Sequence, residues 1–312
     1  MAHELEMVNG EAQMAYVGEV PWHGLGVNVK EGELDLQAAG LDWTVEKQPM
    51  YYMDDLGEMG EIAGKSALVR SSDKKVMDIV GEDWNPVQNK QAFDFFEEFL
   101  EAGDMTMHTA GSLKEGRMVW ALAKVDNDFT IKTPQGEDKV ESYLLFSNPH
   151  EYGKAINIRF TPIRVVCNNT LSVALHSNNI DNYVRMGHQR AFDADTAKET
   201  LGIASQKMET YKEAAEFLCS KNYNDDQVVE YFNQLFPSPS KRESNKARQA
   251  KEIMHTQAGA ELGEGTFWQL FNTVTNMTDH TLGRNADTRL QSAWYGQNSK
   301  LKTKALELAV KM

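Results

Sequence analysis

Across residues 88–102 the apolar positions Ala92, Phe93, Phe95, Phe96, Phe99 and Leu100 recur at spacings of three and four. That period predicts a helix with one broad apolar face set against a core. Asn85-Pro86-Val87-Gln88-Asn89 leads into it. Upstream, residues 66–70 and 75–80 read as a hairpin around the turn Ser71-Ser72-Asp73-Lys74. From 105 to 167 the pattern changes to strands, over 105–113, 117–125, 140–146 and 155–167. Turn-forming segments separate them: Lys114-Glu115-Gly116, then Thr133 to Asp138, then Ser147 to Gly153. Connections this short predict an antiparallel meander. The run Met118-Val119-Trp120-Ala121-Leu122-Ala123 is apolar on both faces, so it predicts a central strand covered on both sides.

Beyond residue 190 the pattern is helical. Ala197, Leu201, Ala204, Met208, Tyr211, Ala215 and Leu218 form a heptad seam that packs internally or against a second copy. Further helices are predicted over 225–236 and 241–256, with a break at Pro237-Ser238-Pro239-Ser240 between them, and a last helical region from Gly265 to the final residue, interrupted near Gly283. Residues 1–35 look irregular. The expected fold class is α+β: an antiparallel sheet of about five to seven strands, backed by the 88–102 helix and followed by a helical C-terminal half. The expected divisions are an acidic N-terminal segment (1–60), a sheet domain with a basic strand face (61–190) and a helical region (191–312).

Charge alters the picture more than composition does. The chain has 312 residues, 41% of them hydrophobic, which is ordinary for a globular protein. The net charge is −14. Residues 1–60 hold Lys30 and Lys47 against twelve carboxylates, a local −10, so the other 252 residues carry only −4. Between Lys154 and Arg190 five cations face one acid, Asp181, and between Lys241 and Lys251 five more face Glu243. The acidic total argues against indiscriminate coating of duplex DNA but permits a local basic groove. No apolar run is long enough for a membrane helix, and the first residues lack the pattern of a secretion signal. The protein is expected to be cytoplasmic, with no membrane partner. Two cysteines, Cys167 and Cys219, are too few for a disulfide scaffold or zinc cage.

Few motifs carry chemistry. There is no Gly-x-Ser-x-Gly elbow, no His-Glu-x-x-His and no paired Cys-x-x-Cys. No catalytic residue, metal or cofactor is expected. Trp22-His23-Gly24-Leu25-Gly26 reads as a packed turn, and Asp279-His280 as a hydrogen-bonding pair on a helix. The segment from Asn157 to Leu171 is the most informative. Ile156, Ile158 and Phe160 alternate with Asn157, Arg159 and Thr161 until Pro162, which is expected to interrupt the ladder. Arg164 follows, then Cys167-Asn168-Asn169-Thr170. Guanidiniums beside a hydrogen-bonding turn suit an anionic or planar ligand. Lys154, Arg159, Arg164, Arg185 and Arg190 are expected to contact phosphates, with Asn157, Asn168, Asn169 and Thr170 hydrogen bonding around them. Tyr143, Phe146, Tyr152 and Tyr183 are candidate stacking surfaces for bases. The inert reading of each arginine, a strand residue paired to a carboxylate, stands beside this one.

Several segments together resemble the phage- and plasmid-like proteins grouped as domain of unknown function 932. They are Pro21 to Gly26, Asn85 to Asn89, Ala110-Gly111-Ser112-Leu113 with Gly116 and Trp120, the arginine segment through Leu171, and Gly265-Thr266-Phe267-Trp268 with Asn272 to Thr275 and Asp279-His280. Around Asn276-Met277-Thr278 the chain departs from the family's acidic-aromatic pair. The resemblance implies a phage or mobile-element origin, a host-cell setting and no established activity. The family is also similar, more distantly, to phage single-strand annealing recombinases. That implies single-stranded DNA binding and annealing in recombination or replication, by a homo-oligomer. Two other readings stay open. One is a binding module that targets a host defence protein through the acidic N-terminal residues. The other is an enzyme acting on a nucleotide with the Cys167 segment.

Overall fold

The computed structural model of the chain describes residues 5–18, 20–21, 24–101, 105–164, 169–170, 184–189, 193, 209–239, 242–283 and 288–312. Its strands are β1 (Met7–Val8), β2 (Glu11–Ala12), β3 (Met14–Val17), β4 (Val27–Val29), β5 (Val45–Met53), β6 (Met59–Arg70), β7 (Val76–Gly81), β8 (Met105–Leu113), β9 (Met118–Thr133), β10 (Gly136–Pro149), β11 (Ala155–Arg164), β12 (Asn169–Thr170) and β13 (Val184–Gly187). Its helices are α1 (Asn89–Glu101), α2 (209–220), α3 (Asp225–Leu235), α4 (Asn245–Ile253), α5 (Phe267–Asn276), α6 (Arg289–Tyr295) and α7 (Gln297–Lys311). The fold is α+β, with helices filling the C-terminal half.

The main sheet runs in the order β12-β11-β10-β9-β8-β3-β4, with β13 also paired to β11. The meander β8 to β11 is antiparallel throughout, as the short turns require. β9 is central and alternates between two cores. Val119, Ala121 and Ala123 join Leu144, Phe146, Ile156 and Ile158 beneath Ala92, Phe95 and Phe96 of α1. Met118, Trp120 and Leu122 join Tyr143 and Leu145 on the other face, against Trp294 of α6. Trp120 and Trp294 meet edge to face, with ring centroids 5.4 Å apart. The far ends of β9 and β10 leave the sheet and enter a third core. There Ile131 and Val140 meet Tyr211, Leu218, Phe232, Phe267, Trp268 and Leu306. The indole N–H of Trp268 donates to the buried Asp138 carboxylate at 2.9 Å. Helix α5 is the axis of this half, buried on every side from Phe267 to Thr275. Of the heptad seam, Tyr211, Ala215 and Leu218 pack internally in this core; the earlier members lie outside the described residues.

Two sequence expectations need correction. Residues 1–35 are not all irregular: β3 pairs antiparallel with β8 and parallel with β4. The strand has only four residues and ends at Gly18, so no period shows in the sequence. Gly111 admits it, because a Cβ there would lie 2.8 Å from the Gln13 carbonyl oxygen. Pro162 does not interrupt β11 either; it stays in register opposite Ser142. Outer partners attach to β11 only at 155–158 and 163–164 among the described residues. The gap between them is where a residue without an N–H costs nothing.

A second, three-stranded sheet has the order β5-β6-β7. Its anchor is Arg70, whose guanidinium is buried. It donates to Glu6 at 2.6 Å and to both oxygens of Asp73 at 2.6 and 3.0 Å, and it lies over the Trp43 ring. The hydroxyl of Ser112 on β8 donates to the same Glu6. The hydrogen bonds from Arg70 hold the Asp73 carboxyl down at about 2. The segment Asn85 to Asn89 adds a clamp. Gln88 bonds both the N–H and C=O of Val45, and the Asn89 amide donates to the carbonyls of Leu41 and Trp43. That fixes the Asn89 oxygen as the acceptor for the buried His150 ring, 3.1 Å away. His188 stacks on Trp84. Burial, with the charges of neighbouring His188 and Arg70, brings His150 down to about 3, and burial lowers His188.

Two outcomes follow from these contacts. Arg70→Met should lower the urea-unfolding free energy by about 3–5 kcal/mol, because it strands Glu6 in the interior, and Arg70→Met/Glu6→Gln should recover part of that loss. Buried His150 stays neutral in the folded chain down to about pH 3 and protonates near pH 6.5 when unfolded, and His188 is shifted in the same direction. The unfolded chain therefore binds more protons below pH 6.5, and stability should fall with pH from there towards pH 3, by up to about 1.4 kcal/mol per unit from His150, with His188 adding in the same direction. His150→Gln should flatten the urea midpoint against pH between about 6.5 and 5; an unchanged slope would contradict the assignment.

Candidate functional site

Side chains alternate along β11, so Asn157 and Arg159 take the face opposite Ile156 and Ile158. Asn157 sits directly across from Arg185 of β13. Lys154 precedes β11 by one residue. This face turns towards the helical half rather than lying open as a sheet surface. The Arg159 guanidinium stands 4.5 Å from the centroid of the Tyr295 ring, at the end of α6. Burial pushes the Tyr295 phenol up, while the nearby positive charge of Arg159 works against it. Behind it, Lys302 of α7 makes a 2.7 Å ion pair with Asp279, both side chains almost wholly buried. Burial lowers the Lys302 ammonium, Asp279 opposes this, and Arg159 adds a further lowering. Asp279 thus serves as the counter-charge of a buried lysine, in a π-helical turn (Met277–Thr281) that continues α5.

Between the outer strands and the helices lies a cleft of about 1710 Å³. Its described lining includes Lys154, Arg159, Arg185, Lys246 of α4 and Lys300 of α7, and not one carboxylate. Lys154, Arg185, Lys246 and Lys300 are exposed, and no described acid pairs with them. Trp294, Tyr295, Phe236 and Leu301 supply apolar wall. The volume exceeds the ~300–1,000 Å³ usual for a small-molecule pocket. Its size, charge and aromatic wall suit an extended anion.

Four of the expected contacts, Lys154, Asn157, Arg159 and Arg185, meet in this cleft. The Arg164 backbone pairs with Asn169 and that of Ile163 with Thr170, at the far end of β11. The side chains of Arg164, Asn169 and Thr170, and all of Asn168, Arg190, Cys167 and Tyr183, lie outside the described residues. Tyr143 and Phe146 are not stacking surfaces: Phe146 is wholly buried, and Tyr143 is buried with its hydroxyl bonded to Glu141. Tyr152 is exposed. Sequence reasoning missed Lys246, Lys300 and Tyr295. The basic run around Lys246 was the one visible hint, since nothing local links Tyr295 to Arg159.

A smaller cavity of about 370 Å³ carries Asp35, Asp42 and Asp94, with Lys90 already paired to Asp94. Cys219 is buried in the helical core. Among the described residues no group of three or more His, Cys, Asp or Glu could hold a metal ion, and no helix is long and apolar enough to cross a membrane. No curated protein and no solved structure matches this chain. The pattern of one family covers residues 76–297, which takes in the meander, α1, the cleft strands and most of the helical half. By that match the chain belongs to the family described as domain of unknown function (DUF932).

Proposed function

We propose that this protein binds single-stranded DNA in the cleft between the outer strands and the helical half. The supporting observation is the charge of that cleft: five cations and no carboxylate in its described lining, in a chain whose net charge is −14. Acids are more numerous than bases over the whole protein, so a large concavity with no acid among its described lining residues is a departure that a polyanion explains. The apolar wall around Tyr295 favours a single strand, whose unstacked bases offer ring faces that a duplex hides. The setting we propose, on the family resemblance, is phage or mobile-element recombination or replication in the host cytoplasm, with annealing of complementary strands as the outcome of binding.

Labelled oligo(dT) followed by fluorescence anisotropy over a salt series tests the binding. Four exposed cations releasing counterions at about −0.7 each give an expected slope of log K on log salt near −3. Lys154→Ala/Arg185→Ala should reduce its magnitude by about 1.4. Absence of binding at low salt, or a slope that the double variant leaves unchanged, overturns the cleft as the site. Annealing is read separately from the rate at which two complementary labelled strands pair. Wild-type protein should accelerate pairing and Lys154→Ala/Arg185→Ala should do so less; no acceleration by saturating protein removes annealing from the proposal.

A further inference from the structure

The N-terminal acids include a feature that DNA binding does not use. β5 and β6 pair as far as Met53 opposite Met59, but β7 joins β6 only over residues 65–69. Residues 51–61 therefore extend past the three-stranded sheet as a two-stranded arm. Its tip is ordered by Asp54, whose carboxylate accepts from the N–H groups of Leu56 and Glu58, and Tyr52 packs across Gly60. On this arm Tyr51, Tyr52, Met53, Leu56 and Met59 are 52–86% exposed, the densest run of exposed large apolar side chains in the described chain. Asp54, Asp55, Glu58 and Glu61 stand among them with no basic residue between. A rigid arm with an apolar tip and an acidic rim is built for a contact.

The complementary surface is on the same molecule. The cleft offers the opposite charge and an apolar wall, and its four exposed cations have no described acid partner. The arm does not fill the cleft of its own chain, since its tip side chains stay exposed. Its strands are rooted through Val45 and Leu68 in the α1-side core, whereas the cleft opens on the face that Arg159 takes. We propose that the arm of one copy docks, tip first, into the cationic cleft of a second copy. Such a contact is heterologous, so it propagates from copy to copy as a ring or a filament. It does not rest on DNA binding, and its test contains no nucleic acid.

Sedimentation velocity on three proteins decides it. The wild type should self-associate as its concentration rises to about 100 μM and dissociate as salt rises from about 0.1 M to about 1 M. An arm variant, Tyr52→Ser/Met53→Ser/Leu56→Ser/Met59→Ser, and a cleft variant, Lys154→Glu/Lys246→Glu, should each be monomeric. Mixed in equal amounts they should form a heterodimer, because each retains the half that the other lacks. Leu56→Asp alone changes one residue that is 86% exposed and should weaken association at least about tenfold, which guards against misfolding of the fourfold variant. A wild type that stays monomeric, an arm variant that associates like wild type, or a mixture that stays monomeric overturns the proposal, and a monomeric wild type leaves the arm to a different protein.

Discussion

The arrangement depends on one constraint: β9 and β10 are apolar on both faces, so the sheet must be covered twice. Helix α1 covers one side with its phenylalanines. The other side is left to Trp294 and Tyr295 of α6, more than a hundred residues further along the chain. That second cover draws the helical half over β11, and the cleft is the space left where the cover is incomplete. Arg159 belongs to the covered face, which is why it lies against an aromatic ring and not in open solvent. The long hairpin of β9 and β10 fixes the helices in place by sending Ile131, Val140 and Asp138 into their core.

Polar contacts hold the smaller sheet as firmly as apolar ones do. Arg70 joins the end of β6 to Glu6 and, through it, to Ser112 of β8. The Asn85–Asn89 clamp joins the start of β5 to His150 after β10. Each contact spans segments far apart in the chain. The second sheet therefore offers a fixed base from which the arm extends.

Much of this was legible in the sequence because it is periodic. The 3–4 spacing from Ala92 marked α1, and the two-sided apolar run at Met118 marked the centre of the sheet. Pro162 misled because a missing N–H matters only where a neighbour needs it, and pairing on the outer side of β11 is not a local property. β3 was hidden by its length: four residues between turns carry no period. Half of the cleft was hidden for another reason. Lys154, Arg159 and Arg185 lie in or next to adjoining strands and could be guessed together, whereas Lys246, Lys300 and Tyr295 reach the cleft through helix packing that no spacing encodes.

The edge-to-face pair of Trp120 and Trp294 has an optical consequence. Trp294 borders the cleft, and Trp120 lies in the strand behind it. Two indoles whose centroids are 5.4 Å apart share excitation, so their emission and near-ultraviolet dichroism depend on how α6 sits on the sheet. Whatever enters the cleft and shifts that helix writes its arrival into the protein's own spectrum, with no label attached.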